Sequence, residues 1–307
     1  MRVLVTGGAG FIGSHLVDRL VEENYEVSVV DDLSTGKRKR VNPKAHFYKA
    51  DILSTKLERV FKKERPEIIN HHAAQINVRR SVKDPLFDAQ VNILGLLNVL
   101  QLSVKYGVRR VLFASSGGAV YGEQQTFPAT EEHAAHPLNP YGVSKLAGEH
   151  FLYYFRQSSG LATASLRYSN VYGPRQDPFG EAGVVAIFTQ NLLRGEPPLI
   201  NGTGRQTRDF IFVDDVVDAN MAVLHSGAEG VFNVGTGRET SVNELCTLLK
   251  RVIGTDVREQ HGPEAAGEIS RSCLDASRLR KATDWAPKVP LEEGLRRTAE
   301  YFRQILK

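Results

Sequence analysis

Val3-Leu-Val-Thr-Gly-Gly-Ala-Gly-Phe-Ile-Gly13 joins a short aliphatic run to three glycines spaced three residues apart. The run predicts a buried strand, Val3–Thr6, and the residues that follow predict a helix, Phe11–Glu23. In such a strand–turn–helix, glycine tolerates the positive φ of the tight turn and lets a pyrophosphate approach bare backbone, while the helix N-terminus offers unpaired N–H groups. A glycine-rich turn that only packs a helix on a sheet is the alternative. The dinucleotide is expected on Gly7, Gly10, Phe11, Ile12 and Gly13.

A carboxylate at the end of the second predicted strand indicates which dinucleotide binds. Asp31 can accept hydrogen bonds from the adenosine ribose and would repel a 2′-phosphate, so NAD is favoured over NADP. NADP stays open as the alternative, because Asp32 and the basic run Lys37–Arg40 follow directly. Asp51 and Ile52, after the third predicted strand, are expected beside the adenine; a helix cap is the competing interpretation for Asp51.

The composition is typical of a folded globular protein. The chain has 307 residues, 41% hydrophobic and 24% charged, with a net charge of +4, which suits one large domain or two unequal ones sharing a cleft. Its apolar runs are judged too short to span a bilayer, and a strand starting at residue 2 leaves no room for a signal peptide, so no membrane is expected. Cys246 and Cys273 fit a reducing compartment, which predicts the cytoplasm. The Lys37–Arg40 run lacks interleaved aromatic residues, so no nucleic-acid partner is expected.

Apolar runs alternate with amphipathic stretches, which predicts βαβ units and an α/β fold: a doubly wound parallel sheet (Rossmann) with a smaller C-terminal α/β substrate lobe. Residues 1–173 are expected to form the dinucleotide domain, to which the chain returns at about 210–240, and residues 174–307 mainly the lobe. The predicted strands are Val3–Thr6, Glu26–Val30, Ala45–Tyr48, Glu67–His71, Arg109–Ala114, Thr163–Arg167, Phe210–Val213 and Val231–Val234. The predicted helices are Phe11–Glu23, Pro85–Tyr106, Tyr141–Gln157, Asp214–Leu224, Leu245–Ile253 (behind a capping box, Ser241–Glu244) and Leu291–Leu306.

Tyr141 and Lys145 lie four residues apart in a predicted helix, hence on one face. A phenol with a pKa near 10 is a poor base at neutral pH. Lys145 and the positive nicotinamide ring would each favour the phenolate by roughly 3–4 kcal/mol at ~5 Å and an effective dielectric of ~20, before desolvation. The pair therefore predicts a dehydrogenase-like site, in which the phenolate takes an alcohol proton as a hydride leaves for the ring.

The fifth predicted strand ends in two hydroxyls at the same edge of the sheet. Ser116 is the candidate for binding the reacting oxygen, with simple strand termination as the alternative. His71 and His72 are adjacent in a strand and point to opposite faces, so they cannot form a metal pair. Structural roles are expected for both, and no metal is predicted.

With these residues identified, the chain resembles the extended short-chain dehydrogenase/reductases over nearly its full length, and among them the UDP-glucose 4-epimerases. The matching segments are Gly7–Gly13, Asp31, His71–Gln75, Ser115–Gly122, Tyr141–Lys145, Arg167–Asn170, Tyr172–Arg175 and Arg208–Asp215. The resemblance implies tightly held NAD, a UDP-hexose substrate (UDP-glucose or UDP-galactose), a transient 4-keto sugar and a homodimer with a four-helix interface. It implies that Tyr141 is the base and Lys145 tunes it. Its further site residues are Ala73 and Asn92 near the cofactor, and Asn170 and Arg208 on the nucleotide diphosphate.

Three positions depart from the family pattern. The usual catalytic serine or threonine is Gly117 here, so either Ser116 replaces it or Tyr141 acts with less help. An arginine that often contacts phosphate is replaced by Ala265. The position that gates the sugar's 2-substituent aligns with Ser272, which is small enough to admit an N-acetyl group.

The same scaffold serves other activities. Epimerisation of UDP-glucuronate or of UDP-N-acetylhexosamines is the nearest alternative. Dehydratases and decarboxylases need an acidic residue where this chain has Gly117–Ala119, and a reductase would need exchangeable NADPH, against which Asp31 argues. A non-catalytic dinucleotide sensor is disfavoured because both Tyr141 and Lys145 are present.

Overall fold

The computed structural model of the chain describes residues 1–179, 183–264 and 269–306. These residues form fourteen strands and twelve α-helices. The strands are β1 (Arg2–Thr6), β2 (Glu26–Asp31), β3 (His46–Lys49), β4 (Ile68–His71), β5 (Arg110–Ser116), β6 (Ala162–Tyr168), β7 (Asn170–Tyr172), β8 (Leu199–Asn201), β9 (Thr207–Arg208), β10 (Phe210–Phe212), β11 (Gly230–Val234), β12 (Thr240–Ser241), β13 (Gln260–Gly262) and β14 (Arg271–Ser272). The helices are α1 (Phe11–Glu22), α2 (Lys56–Glu64), α3 (Val78–Lys83), α4 (Pro85–Ala89), α5 (Gly95–Lys105), α6 (Gly117–Val120), α7 (Pro140–Ser159), α8 (Val184–Arg194), α9 (Val213–Ser226), α10 (Val242–Ile253), α11 (Ser277–Thr283) and α12 (Leu291–Ile305).

Seven of these strands form one parallel sheet in the order β3-β2-β1-β4-β5-β6-β11. The order reverses direction between β1 and β4, and in doubly wound sheets a crevice for ligands opens at the carboxyl ends of the strands there. Helices α1 and α9 pack on one face of the sheet, and α2, α5 and α7 on the other. The predicted doubly wound fold is confirmed.

Apolar spacing explains why each helix lies where it does. In α1, Leu16, Val17 and Leu20 recur at helical spacing, and all three are buried against the sheet. In α5 and α7, Val99 and Leu152 are buried in a second cluster on the opposite face. The two clusters sandwich the sheet between them, which fixes the crevice at its edge.

The remaining strands form three small sheets, ordered β10-β7, β12-β9-β14 and β13-β8. Helices α8, α10 and α12 pack on one another around a third apolar cluster. Helix α10 starts with the predicted capping box, in which the Ser241 hydroxyl accepts from the Glu244 N–H at 3.2 Å and the Ser241 N–H donates to the Glu244 carboxylate at 2.8 Å.

The predicted helix Pro85–Tyr106 forms one continuous helical run, Pro85–Lys105, in which a π-helical turn over Gln90–Leu94 joins α4 to α5. π-Helical turns inside α-helices are frequent at functional sites. By length and mean hydropathy (1.2), Pro85–Lys105 is long and apolar enough to cross a membrane, contrary to the expectation that no apolar run would be. One side of it packs against α7 and the sheet, and 44% of its apolar window is buried.

Candidate active site

The glycine turn between β1 and α1 forms a cradle that side chains would fill. Gly7 has φ of +70°, and a Cβ there would lie 2.6 Å from the Ala73 nitrogen. A Cβ on Gly13 would lie 2.3 Å from the Gly7 carbonyl oxygen, which makes glycine necessary where α1 crosses the turn. Helix α1 begins at Phe11, so the N–H groups of Phe11 and Ile12 lie in its first turn, where anions bind. The cradle fits a dinucleotide pyrophosphate.

Asp31 holds this turn in place. Its buried carboxylate accepts hydrogen bonds from the Ala9 N–H at 2.9 Å and the Leu33 N–H at 2.8 Å, and burial raises its pKa. A carboxylate has about four acceptor positions, so it keeps capacity for a ribose hydroxyl. The bond to Ala9 is a structural role that the sequence did not reveal.

The residues expected beside the adenine lie in the loop after β3. Asp51 accepts from the Leu53 N–H at 2.8 Å, which closes a local turn. Thr55, not Asp51, is the N-cap of α2, so the helix-cap interpretation of Asp51 is wrong. Ile52 is buried, and its carbonyl oxygen accepts from the Asn98 side chain at 2.5 Å.

Asn92 supports the loop that follows β4. Its side-chain oxygen accepts from the Gln75 N–H at 2.9 Å, and its amide donates to the Gln75 carbonyl at 2.9 Å and to Asp88 at 3.0 Å. Both amide hydrogens are therefore used within the protein, and Asn92 acts on the site by shaping this loop. Ala73 lies in the same loop against Gly7, and its N–H donates to the Thr6 hydroxyl at 3.3 Å.

Tyr141 and Lys145 face the end of β5 from α7. The Lys145 ammonium donates to the Ala114 carbonyl at 2.8 Å and lies 5.8 Å from the centre of the Tyr141 ring. Burial raises the pKa of Tyr141 to about 12, while the nearby Ser116 hydroxyl lowers it and the negative charge of Asp88 raises it further. The predicted lowering of the phenol pKa needs the nicotinamide ring as well as Lys145, and it stays a prediction. Burial outweighs every other influence, and it lowers the pKa of Lys145 itself to about 8.

Ser116 lies beside the Tyr141 phenol, whereas the structure leaves little room for a side chain at position 117. A Cβ on Gly117 would lie 2.4 Å from the Leu274 side chain, so a larger residue there would collide with buried Leu274. Ser116 is the N-terminal flanking residue of α6 and lies beside the Tyr141 phenol. Leu274 fills the space that a side chain at position 117 would need.

Two buried carboxylates lie near Tyr141 and Lys145, and the sequence analysis identified neither. Glu149 accepts from Ser115 at 2.5 Å and forms a two-pronged ion pair with Arg167, at 2.9 and 2.6 Å. Asp88 accepts from Gln75 at 2.8 Å and from Ser144 at 2.6 Å, besides the bond from Asn92. Glu149 is four residues beyond Lys145 on the same helix face and could have been found from spacing, whereas Asp88 comes from a different element.

The residues expected to bind the substrate, Asn170, Arg208 and Ser272, lie in the short strands β7, β9 and β14. Asn170 opens β7, and its side-chain oxygen would lie 3.8 Å from a Cβ on Gly118, next to the end of β5. Arg208 and Ser272, 64 positions apart in sequence, are register partners in the parallel pair β9–β14. Ser272 is buried, and Arg208 is half-buried and donates to the Thr207 carbonyl at 2.8 Å. Ala265 lies outside the described residues.

His71 and His72, at the end of β4, both have packing roles. The His71 ring is 2.7 Å from the Thr6 hydroxyl and stacks on Phe113, and the His72 ring is 3.2 Å from the Tyr168 hydroxyl. Burial lowers the pKa of each to about 3, so both are neutral at physiological pH.

Known proteins are similar to this chain in sequence and in fold. The sequence profile of the NAD dependent epimerase/dehydratase family matches residues 3–235. A UDP-glucose 4-epimerase from Mycolicibacterium smegmatis is 46% identical over 309 residues, covering 99% of both chains. The solved UDP-glucose 4-epimerase of Thermotoga maritima, with UDP-glucose, has 50% identity and a TM-score of 0.98 over 100% of both chains. That of Thermus thermophilus, in complex with NAD, has 45% identity and a TM-score of 0.95 over 99% of both.

This chain therefore belongs to the NAD dependent epimerase/dehydratase family. The resemblance inferred from its motifs is confirmed, and so is NAD as the cofactor.

Proposed function

We propose that this protein interconverts UDP-glucose and UDP-galactose by inverting the configuration at C4 of the sugar. The observation that carries the proposal is the meeting of Tyr141, Lys145 and Ser116 beside the glycine cradle. Similarity over the full length to UDP-glucose 4-epimerases, one of them solved with UDP-glucose, supports this choice within the family. It is an isomerase, because the hydride taken from the sugar is returned to it.

Residues from three segments would hold the cofactor. Its pyrophosphate would lie on the α1 N-terminus, its ribose beside Asp31, and its adenine beside Asp51 and Ile52. When bound there, NAD would supply reversible hydride transfer at C4, so that the sugar passes through a 4-keto form and can be reduced on the other face of its carbonyl. The cradle residues in contact would be Gly7, Gly10, Phe11, Ile12 and Gly13. Ala73, in the loop after β4, would also contact the cofactor, with Asn92 behind that loop.

Tyr141 would be the base. Its phenolate would take the C4 hydroxyl proton and later return it to the same oxygen. The pKa of Tyr141 is about 12 in the protein alone, so positive charge must be added before the phenolate forms near neutral pH. Lys145 is already present in that protein, so the added charge would be that of the oxidised nicotinamide ring, and Ser116 would donate a hydrogen bond to the oxygen on which negative charge develops.

The lobe would hold the nucleotide sugar. Asn170 and Arg208 would bind the diphosphate, the latter through the planar donor set of its guanidinium. Ser272, buried and in register with Arg208, would lie against the 2-substituent of the sugar. Because its side chain is small, we propose UDP-N-acetylhexosamines as a second substrate class.

A panel of UDP-sugars tests the activity. The purified protein is incubated separately with UDP-glucose, UDP-galactose, UDP-N-acetylglucosamine and UDP-glucuronate, and the anomeric ¹H NMR signals are followed to equilibrium. We expect UDP-glucose and UDP-galactose to reach one common mixture from either side. Failure to convert either of them would refute the epimerase assignment.

We also propose a homodimer, formed through α7 and the Pro85–Lys105 helical run. Apolar side chains on these elements are exposed: Leu86 (77%), Leu94 (53%), Val143 (51%) and Tyr154 (59%). Sedimentation should give twice the chain mass of 34.0 kDa. Leu94→Glu should yield monomers, whereas Leu199→Glu, at an equally exposed leucine in β8, should leave the mass unchanged. A monomeric parent protein would refute the interface.

We propose the cytoplasm as its location. Cys246 and Cys273 are both unpaired and buried, and burial raises the pKa of Cys273 to about 12, so this thiol stays protonated. Free buried thiols suit a reducing compartment. Cell fractionation with a matched cytoplasmic marker tests this.

A further inference from the structure

Asp88 is a fully buried carboxylate at the junction of α4 with the π-helical turn. Its side chain accepts hydrogen bonds from three neutral donors, at 2.8 Å from Gln75, 3.0 Å from Asn92 and 2.6 Å from Ser144. Ser144 is the residue next to Lys145 in α7. The carboxylate therefore lies against the helix that carries the catalytic pair.

The two carboxylates near Lys145 differ in how their charge is balanced. Glu149 is neutralised by the two-pronged contact with Arg167. Among the residues that the structure describes, no ion pair includes Asp88. An ionised carboxylate is very costly to bury without a nearby positive charge, and neutral hydrogen-bond donors offset only part of that cost.

We propose that Asp88 is the counter-charge of Lys145, a positioning residue that keeps the catalytic ammonium protonated. Lys145 is buried and donates its hydrogen bond to the neutral Ala114 carbonyl, so it too needs an opposite charge. Asp88 lies against α7, where it accepts a hydrogen bond from Ser144, the residue before Lys145 in that helix. Burial favours loss of the Lys145 proton, and the negative charge of Asp88 opposes that loss. The two influences on the pKa of Lys145 therefore have opposite directions: burial lowers it and Asp88 raises it.

The other charged and titratable groups around Lys145 do not take this role. On α7 itself are Tyr141 and Glu149, the latter paired with Arg167 from β6. From the end of β4 come His71 and His72, which are neutral at physiological pH. The end of β5 contributes the Phe113 ring, the Ala114 carbonyl and the serine hydroxyls, all of them uncharged.

The test titrates Lys145 directly, in NAD-loaded protein labelled with [¹³Cε]lysine. The Lys145 signal is identified by its absence from the spectrum of Lys145→Arg. In Asp88→Asn, which keeps the size of the side chain, we expect the Lys145 pKa to fall by at least about one pH unit, a tenfold change in the ratio of protonated to neutral lysine at fixed pH. Ser144→Ala, which removes one hydrogen bond and keeps the charge, should leave the titration within about 0.3 pH unit of the parent.

A second readout is the pH profile of turnover, which rests on the proposed function, whereas the titration needs no substrate. Loss of the negative charge should lower the pKa of both Lys145 and Tyr141, so the acid and alkaline limbs should both move to lower pH. Asp88→Glu, which restores the charge, should return both limbs toward the parent. If Asp88→Asn does not fold, Asp88→Ser is titrated instead. An unchanged Lys145 titration in the neutral variant, or an equal shift in Ser144→Ala, would overturn the proposal.

Discussion

The glycine cradle and the tyrosine pocket lie side by side in one crevice but are built in different ways. The cradle is made of backbone from a single segment, Gly7–Gly13, with Asp31 as its main side-chain support. The pocket is made of side chains from three elements, with Ser116 on β5, Tyr141 on α7 and Asp88 on α4. A local backbone site can be recognised in sequence, whereas a site made of distant side chains requires the fold.

The largest effect is expected when the Tyr141 hydroxyl is removed, because this change should impair the pocket and leave the cradle intact. Tyr141→Phe should lower kcat by about 10³-fold, because general acid–base groups contribute roughly 10²- to 10⁴-fold. NAD should remain bound at the parent stoichiometry, since the cradle is untouched. Turnover by NMR and NAD content after denaturation measure the two effects separately.

Tyr153→Phe provides the matched control, because this tyrosine lies on the same helix but is 58% exposed. Its kcat should equal that of the parent. A Tyr141→Phe enzyme within a few-fold of the parent would exclude the assigned base.

A change in the cradle should have the opposite pattern, with loss of bound NAD as its first effect. A Cβ on Gly13 would lie 2.3 Å from the Gly7 carbonyl oxygen, so Gly13→Ala must displace the turn from α1. We expect the purified variant to lose most of its NAD and, without added cofactor, about 10²-fold in activity, because the backbone donors no longer meet the pyrophosphate. Gly118→Ala is the control, because its nearest neighbour would be 3.8 Å away. If Gly13→Ala kept its full NAD content, the cradle would not be where the pyrophosphate binds.

Ser115 and Ser116 are adjacent at the end of β5, and we expect one to affect stability and the other to affect catalysis. Ser116→Ala should lower kcat roughly 10- to 100-fold with little change in stability, since it removes a hydrogen bond to the reacting oxygen. Ser115→Ala should instead lower the free energy of unfolding by about 1–3 kcal/mol, because it leaves buried Glu149 without one of its donors. Steady-state kinetics and urea denaturation measure the two. Equal kinetic losses in both variants would contradict the assignment of Ser116.

Particular residues show how far the sequence could go. The doubly wound sheet, the glycine turn and the α10 capping box all follow from local patterns, and the structure confirms them. The π-helical turn at Gln90–Leu94 was missed because its apolar spacing is the same as that of a continuous helix. Asp88 and Leu274 were missed because their importance depends on contacts with residues far away in sequence, Ser144 and Gly117 respectively.

The smallest effect on turnover of UDP-glucose is expected at Ser272, where specificity and catalysis should separate. This residue is buried and in register with Arg208, so a larger side chain would fill the space we assign to the sugar's 2-substituent. Ser272→Tyr should abolish turnover of UDP-N-acetylglucosamine and change kcat/KM for UDP-glucose only a few-fold, because the smaller hydroxyl group at C2 still fits. Ser272→Ala, which keeps the space, should accept both sugars. If the parent enzyme converts UDP-glucose but not UDP-N-acetylglucosamine, the space at position 272 does not set the preference, and the gate must lie elsewhere in the lobe.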